Sequence, residues 1–220
     1  VIDTMILVSG GDSFIWGSEL ADCPHGGPNG YSMQTFPALL STSSAVSLQA
    51  LVSTDRYVCT AYPGIGNNEI HDRVIKAVTQ DTSAVMVCWT WQARDNDIDS
   101  DHWILSLQKH LVDLAIPYVF TCVDNCIITN NPAIDYDSWF MFPSGTVMPD
   151  RPVSSQTTTP RGFYQWAVEN KYSIGPDSHP LEQAHQDAAD LIKERFDAMV
   201  KKNLQTYQVR NILSKKVKGS

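Results

Sequence analysis

The chain has 220 residues, 43% of them hydrophobic, and a net charge of −8, a size and balance that fit one soluble domain with a substantial core. A membrane helix needs roughly 20 uninterrupted apolar residues, and the longest candidate, Ala38 to Val52, is broken by serines, a threonine and a glutamine. The chain opens on Val1 rather than Met, which leaves room for a removed upstream segment such as a signal peptide.

The run Thr4 to Val8 is short, β-branched and apolar, the pattern of a strand buried on both faces. Gly10 and Gly11 end it, and Phe14 to Leu20 can open a helix, so Ser13 falls where strand gives way to helix. The Gly- and Pro-rich stretch Ala21 to Ser32 is expected to be a surface loop. Pro37 to Leu51 follows as a helix with Thr35 and Pro37 as start signals. Further strands are expected near Arg56–Ala61, Ala84–Thr90 and Pro117–Cys122. Between them, Asn67 to Thr79 carries Ile70, Val74, Ile75 and Val78 on one helical face, and His102 to Leu114 does the same with Ile104, Leu107 and Leu111. Residues Asp124 to Pro160 form an irregular excursion whose Trp139, Phe140 and Phe142 are expected to pack it onto the body. A short helix at Phe163–Glu169 precedes Gly175-Pro176-Asp177-Ser178-His179-Pro180, with Pro180 at the first position of a final amphipathic helix from Leu181 to about Lys201.

This strand–helix alternation implies an α/β fold: a three-layer α/β/α sandwich, flavodoxin-like, around a mostly parallel sheet. The expected organisation is one domain over 1–202 and a basic tail over 203–220. Lys201, Lys202, Arg210, Lys215, Lys216 and Lys218 face no acidic residue after Asp197, so taking their six charges from the net −8 leaves −14 on the body. That acidic body would repel a phosphate backbone, so nucleic acid is not the expected partner and the tail is read as a solvated or docking segment. Cys23, Cys59, Cys88, Cys122 and Cys126 are an odd set, read as free thiols of a reducing interior. Cys122-x-x-x-Cys126 has no second paired cluster, and Asp95 to Asp101 lacks the glycine and glutamate of an EF-hand. Neither a metal nor a cofactor is expected.

A serine is a weak nucleophile unless a base takes its proton and a third group orients that base. Ser13, His179 and Asp177 supply such a set, with Asp177 two residues from His179 in the same turn. His185, six residues on, is expected on another face in a surface or supporting role.

These residues resemble the SGNH, or GDSL-type, hydrolases. Gly11-Asp12-Ser13 looks like the family's first block, which carries the nucleophile, and Asp177-Ser178-His179-Pro180 looks like its last, which carries acid and base. Ala61-Tyr62-Pro63-Gly64-Ile65-Gly66-Asn67 is similar to the second block, where a glycine N–H helps build the oxyanion hole; Gly64 is the first choice and Gly66 the next. The third block departs from the family's Gly-x-Asn, showing Trp89-Thr90-Trp91-Gln92-Ala93-Arg94. That Trp-Thr-x-x-x-Arg pattern is similar to a divergent branch associated with tailed bacteriophages. Thr90, Gln92, Arg94 and Asn67 are the candidate replacement donors, and Trp89 and Trp91 flank the expected site. The resemblance implies a serine esterase working through an acyl-enzyme, with a small ester such as a carbohydrate O-acetyl group as substrate. The competing expectation is a binding or virion-structural protein on the same fold, weakened by the missing asparagine.

Overall fold

The computed structural model describes residues 6–23, 30–43, 57–95, 99–144 and 160–199. Four parallel strands form one sheet in the order β2-β1-β3-β4: β1 is Ile6–Gly10, β2 Tyr57–Cys59, β3 Thr82–Trp89 and β4 Tyr118–Cys122. β2 and β4 lie within the stretches expected of them, whereas β1 runs on to Gly10 and β3 begins at Thr82, two residues before the stretch expected.

Side chains alternate across a strand, and here the alternation sorts them into two cores. Leu7, Ala84, Met86, Cys88 and Val119 face one layer, while Val8, Val85, Val87, Trp89, Phe120 and Cys122 face the other. The first layer is covered by α1 (Ser13–Trp16), α2 (Phe36–Ser43), α5 (Phe163–Glu169) and α6 (residues 182–199), through Phe14, Phe36, Phe163, Trp166, Ala188, Ile192 and Phe196. The second is covered by α3 (Asn67–Ala77) and α4 (Ser100–Asp113), through Ile70, Val74, Ile104, Leu107 and Leu111. Helices therefore lie on both faces of a parallel sheet, the three-layer architecture expected.

Strand order locates the ligand crevice. The chain runs from β1 outward to β2, then crosses back past β1 to β3 and on to β4. The direction of winding reverses between β1 and β3, and the crevice outside the carboxyl ends of those strands is where such sheets bind ligands. Gly10 and Trp89 are the last residues of the two strands. Beyond β2 the chain still follows β1, with Thr60 N–H donating to the Ser9 carbonyl at 2.8 Å and Tyr62 N–H to that of Gly11 at 3.2 Å. The Gly64 loop is thereby held beside the Ser13 turn.

Several local expectations change. The helix expected from Phe14 to Leu20 stops at Trp16, because Gly17 adopts a left-handed cap (φ 82°) whose N–H bonds the Ser13 carbonyl, a favoured helix stop. Of the helix expected from Pro37 to Leu51, residues 44–51 lie outside the described residues, as do 24–29 of the Gly- and Pro-rich loop, 96–98, Thr157 to Thr159 and the basic tail. The excursion after β4 packs as expected for Trp139 and Phe142, both buried. Asp95 and Asp101 are buried carboxylates. Asp95 is buried and accepts from Asn68 N–H and the Ser100 hydroxyl; Asp101 is buried and accepts from Thr129 and Asn131. Buried carboxylates persist where several donors satisfy them. The five cysteines are all free, with Cys23, Cys88 and Cys122 buried, Cys59 half-buried and Cys126 exposed.

Candidate active site

Asp12 builds the nucleophile turn. It is the N-cap of α1, and its Oδ1 accepts the Phe14 N–H at 3.0 Å. Ser13 is the first helical residue, so its own N–H has no intrahelical acceptor and points out of the helix N-terminus. Asp12 is fully buried; Oδ2 accepts the Thr90 hydroxyl at 2.6 Å and Arg94 Nη1 at 2.9 Å. Burial raises the Asp12 pKa above its ordinary value, against the opposing pull of Thr90, the Phe14 N–H, Arg94 and His179.

His179 arrives from the other end of the chain on the turn between α5 and α6. Gly175 N–H bonds the His179 carbonyl at 2.8 Å and Ser178 N–H that of Gly175 at 3.0 Å, closing a tight loop with Ser178 left-handed at φ 71°. His179 Nε2 lies 2.8 Å from Ser13 Oγ. The Phe14 ring packs against the imidazole in a T-shaped pair, 4.9 Å between centroids. Ser13 and His179 are 6% and 9% exposed, respectively.

The carboxylate on the far side of the imidazole is that of Glu19, not Asp177. Glu19 Oε2 is 2.7 Å from His179 Nδ1. Asp177 is exposed, and what it gives is its backbone: its N–H donates to both Glu19 oxygens at 3.0 and 3.1 Å, and the His179 N–H adds a third bond at 3.2 Å. The turn that carries Asp177 and His179 thus aims its amides, rather than the Asp177 side chain, at the orienting position. Partial burial of Glu19 works against its charged form, but the Asp177 N–H and the His179 ring and N–H outweigh it and hold the carboxyl below its ordinary value. Gly175 makes this cradle: a Cβ there would lie 2.6 Å from Glu19 Cδ and Oε1. With Nδ1–H donating to Glu19, Nε2 is left as the acceptor for the Ser13 hydroxyl.

The other expected residues separate by role. Asn67 is fully buried and committed: Oδ1 accepts the Thr90 N–H at 2.9 Å, and Nδ2 donates to the Thr90 carbonyl at 3.1 Å and the Ser100 hydroxyl at 3.0 Å. The Thr90 hydroxyl is spent on Asp12. Gln92 is exposed on the turn over Gln92–Asp95. Gly66 meets that turn closely, since a Cβ would sit 2.6 Å from Asp95 Oδ1 and 2.8 Å from the Arg94 carbonyl; its glycine is a packing requirement. Gly64 is exposed with φ 80° and nothing within 4 Å of a would-be Cβ, so conformation rather than space calls for glycine there. Trp89 points into the opposite core, whereas half-buried Trp91 shares the site's layer, 5.6 Å from Phe14 and 6.3 Å from Tyr164. His185 is buried, not on the surface: it lies against Phe36, accepts the Phe36 N–H at 3.3 Å, and is pushed down to about 3 by burial.

A second Ser-His-Asp arrangement shows why position matters. His71 bridges Ser106 (2.9 Å) and Asp72 (2.7 Å), but Ser106 lies inside α4, where backbone N–H groups are consumed by the helix. Such a serine has no donors ready for an oxyanion. Ser13, at a helix start, has one.

No family model matches the chain, and no curated protein matches it. Among solved structures it is similar to an extracellular lipase from Streptomyces rimosus (13% identity, TM-score 0.38, covering 82% of this chain and 94% of that one). It is likewise similar to phospholipase A1 from Streptomyces albidoflavus NA297 (13% identity, TM-score 0.37, covering 83% and 95%). Similarity at this level carries no weight for the chemistry, which is read from the side chains alone.

Proposed function

We propose that this protein is a serine ester hydrolase in which Ser13 is the nucleophile, His179 the general base and acid, and Glu19 the orienting carboxylate. The observation that carries this reading is the unbroken relay from Ser13 Oγ to His179 Nε2 (2.8 Å) and from Nδ1 to Glu19 (2.7 Å), set at a helix start in the sheet's ligand crevice.

In the acylation step Ser13 Oγ bonds the ester carbonyl carbon as its proton passes to Nε2, and the carbonyl π pair becomes an oxyanion. Collapse breaks the carbon–alkoxide bond, and the imidazolium returns its proton to the departing alcohol. Water then repeats the sequence on the acyl-serine and restores free Ser13. Glu19 stays ionised, keeps Nδ1 protonated and stabilises the imidazolium. The Ser13 N–H and the Gly64 N–H are the proposed oxyanion donors. The half-buried faces of Trp91 and Tyr164 support a small ester with a ring-shaped alcohol part, such as an O-acetylated sugar, since aromatic side chains present an apolar face with a polar edge.

The test is active-site labelling with a fluorophosphonate alongside p-nitrophenyl acetate hydrolysis. Stoichiometric labelling and turnover, both lost in Ser13→Ala, are expected. Folded wild-type protein that neither labels nor hydrolyses would overturn the reading in favour of a binding or structural protein on this fold.

A further inference from the structure

An oxyanion forming on Ser13 gains most from donors held in place before the reaction, and a charged donor is stronger than a neutral one. Arg94 occupies the place where the loops around Ser13 converge. Its Nη1 donates to Asp12 Oδ2 at 2.9 Å and reaches the Ile65 carbonyl at 3.5 Å, and its guanidinium carbon sits 5.2 Å from the centre of the Trp91 ring. Asp12 directly precedes Ser13, and Ile65 directly follows Gly64. The guanidinium is therefore tied to the residue before Ser13 and to the residue after Gly64. Its backbone is fixed there as well, because Gly66 packs against the Arg94 carbonyl too closely to admit a Cβ.

We infer that Arg94 is a catalytic donor to the oxyanion, with buried Asp12 as the anchor that aims it; this rests on the ester hydrolase reading above. A guanidinium carries five N–H donors, and among the described residues its hydrogen bonds use Nη1 alone. The side chain is 31% exposed and Asp12 fully buried, so the pair is open to solvent on the Arg94 side. Asp12 balances the resting charge, which leaves Arg94 with little pull on an anionic substrate. When negative charge develops on the carbonyl oxygen, the remaining N–H groups meet it without rearrangement. Of the alternatives, Asn67 and Thr90 are bonded within the fold, and Gln92 is exposed on the turn after β3.

The test compares Arg94→Gln with wild type in p-nitrophenyl acetate kinetics and in binding of phenylboronic acid, whose tetrahedral Ser13 adduct places an oxygen where the oxyanion would lie. Loss of one such donor costs roughly a hundredfold to a thousandfold in kcat, so that fall is expected, with KM within about threefold and boronate affinity weakened in step. A kcat within threefold of wild type overturns the inference. So does a fall in kcat with unchanged boronate affinity, which would leave Arg94 merely bracing Asp12. If Arg94→Gln does not fold, Arg94→Lys keeps a cation on Asp12 but loses the planar fork; at least tenfold lower kcat supports the inference and an unchanged kcat overturns it. Wild type that neither labels nor turns over overturns the parent reading as well, whereas an active wild type with unaffected Arg94 variants overturns this inference alone.

Discussion

The Glu19 carboxylate lies 2.7 Å from Nδ1 of His179, although 160 residues separate them in the chain. Nucleophile and orienting acid are only six positions apart, on either side of the short helix α1 that follows β1, while the base is brought in by the turn before α6. The segment around α1 thus supplies two members of the relay, and the α6 turn supplies the third together with the amides that hold Glu19.

Glu19→Gln therefore separates the two carboxylates. An amide at this position stops enforcing the tautomer that leaves Nε2 free, and the equivalent change in a serine protease costs about 10⁴ in kcat. We expect a fall of roughly 10² to 10⁴ for Glu19→Gln and a change within about threefold for Asp177→Asn, read as kcat on p-nitrophenyl acetate. The reverse ranking would return the orienting role to Asp177.

Gly175→Ala tests the cradle without replacing any member of the relay. The new Cβ would sit 2.6 to 2.7 Å from the Glu19 carboxylate atoms, so Glu19 or the turn must move. A displacement near 1 Å costs about a hundredfold in a positioned site, and a loss of that order is expected with fluorophosphonate labelling slowed in parallel. Unchanged labelling would mean the turn yields without disturbing His179.

Most of the architecture was legible because it rests on local patterns. Short apolar runs mark the four strands, with glycine or proline punctuating β1, β2 and β4, and three-to-four spacing marks α3, α4 and α6. Ser13 and His179 stand out for the same reason, each at a punctuated junction. Glu19 does not, because the helix expected from Phe14 to Leu20 absorbs it; the readable signal was Gly17, a helix stop two residues earlier. Asp177 drew attention by proximity in sequence, but a left-handed Ser178 (φ 71°) decides where its side chain and amide point, and no spacing rule contains that angle. The roles of Asn67 and Gly66 were equally hidden, since each is set by what the turn after β3 brings against it. His185 misleads in the opposite way: a polar residue on a helix reads as exposed until α2 and its Phe36 ring cover it.

The pH dependence of stability carries the signature of Glu19. Its folded pKa lies below the ordinary 4.5, so the unfolded chain takes up the proton first as pH falls. The stabilisation is complete above the unfolded value and is lost as pH drops through the folded one. Asp12 acts with the opposite sign, because its folded pKa is raised and ionisation disfavours the fold. Thermal melts of wild type minus Glu19→Gln isolate the first group: the difference in Tm should shrink steadily on going from pH 5 toward pH 3. A constant difference would show that Glu19 has no depressed pKa.

His185 gives a second acid-sensitive contribution, one that begins at higher pH. Folded, it is pushed from 6.5 down to about 3 by burial, while the unfolded chain charges it near its ordinary value. The unfolded state therefore binds the extra proton throughout the interval, and stability falls as pH drops from about 6.5 to about 3. His185→Gln retains an acceptor for the Phe36 N–H and cannot become charged. It should lower stability at pH 8 through imperfect packing against Phe36 and Phe163, yet flatten the loss between pH 6.5 and pH 4. The measurement is denaturant unfolding at fixed temperature across that range, and parallel curves for the two proteins would show that His185 charges without unfolding the chain.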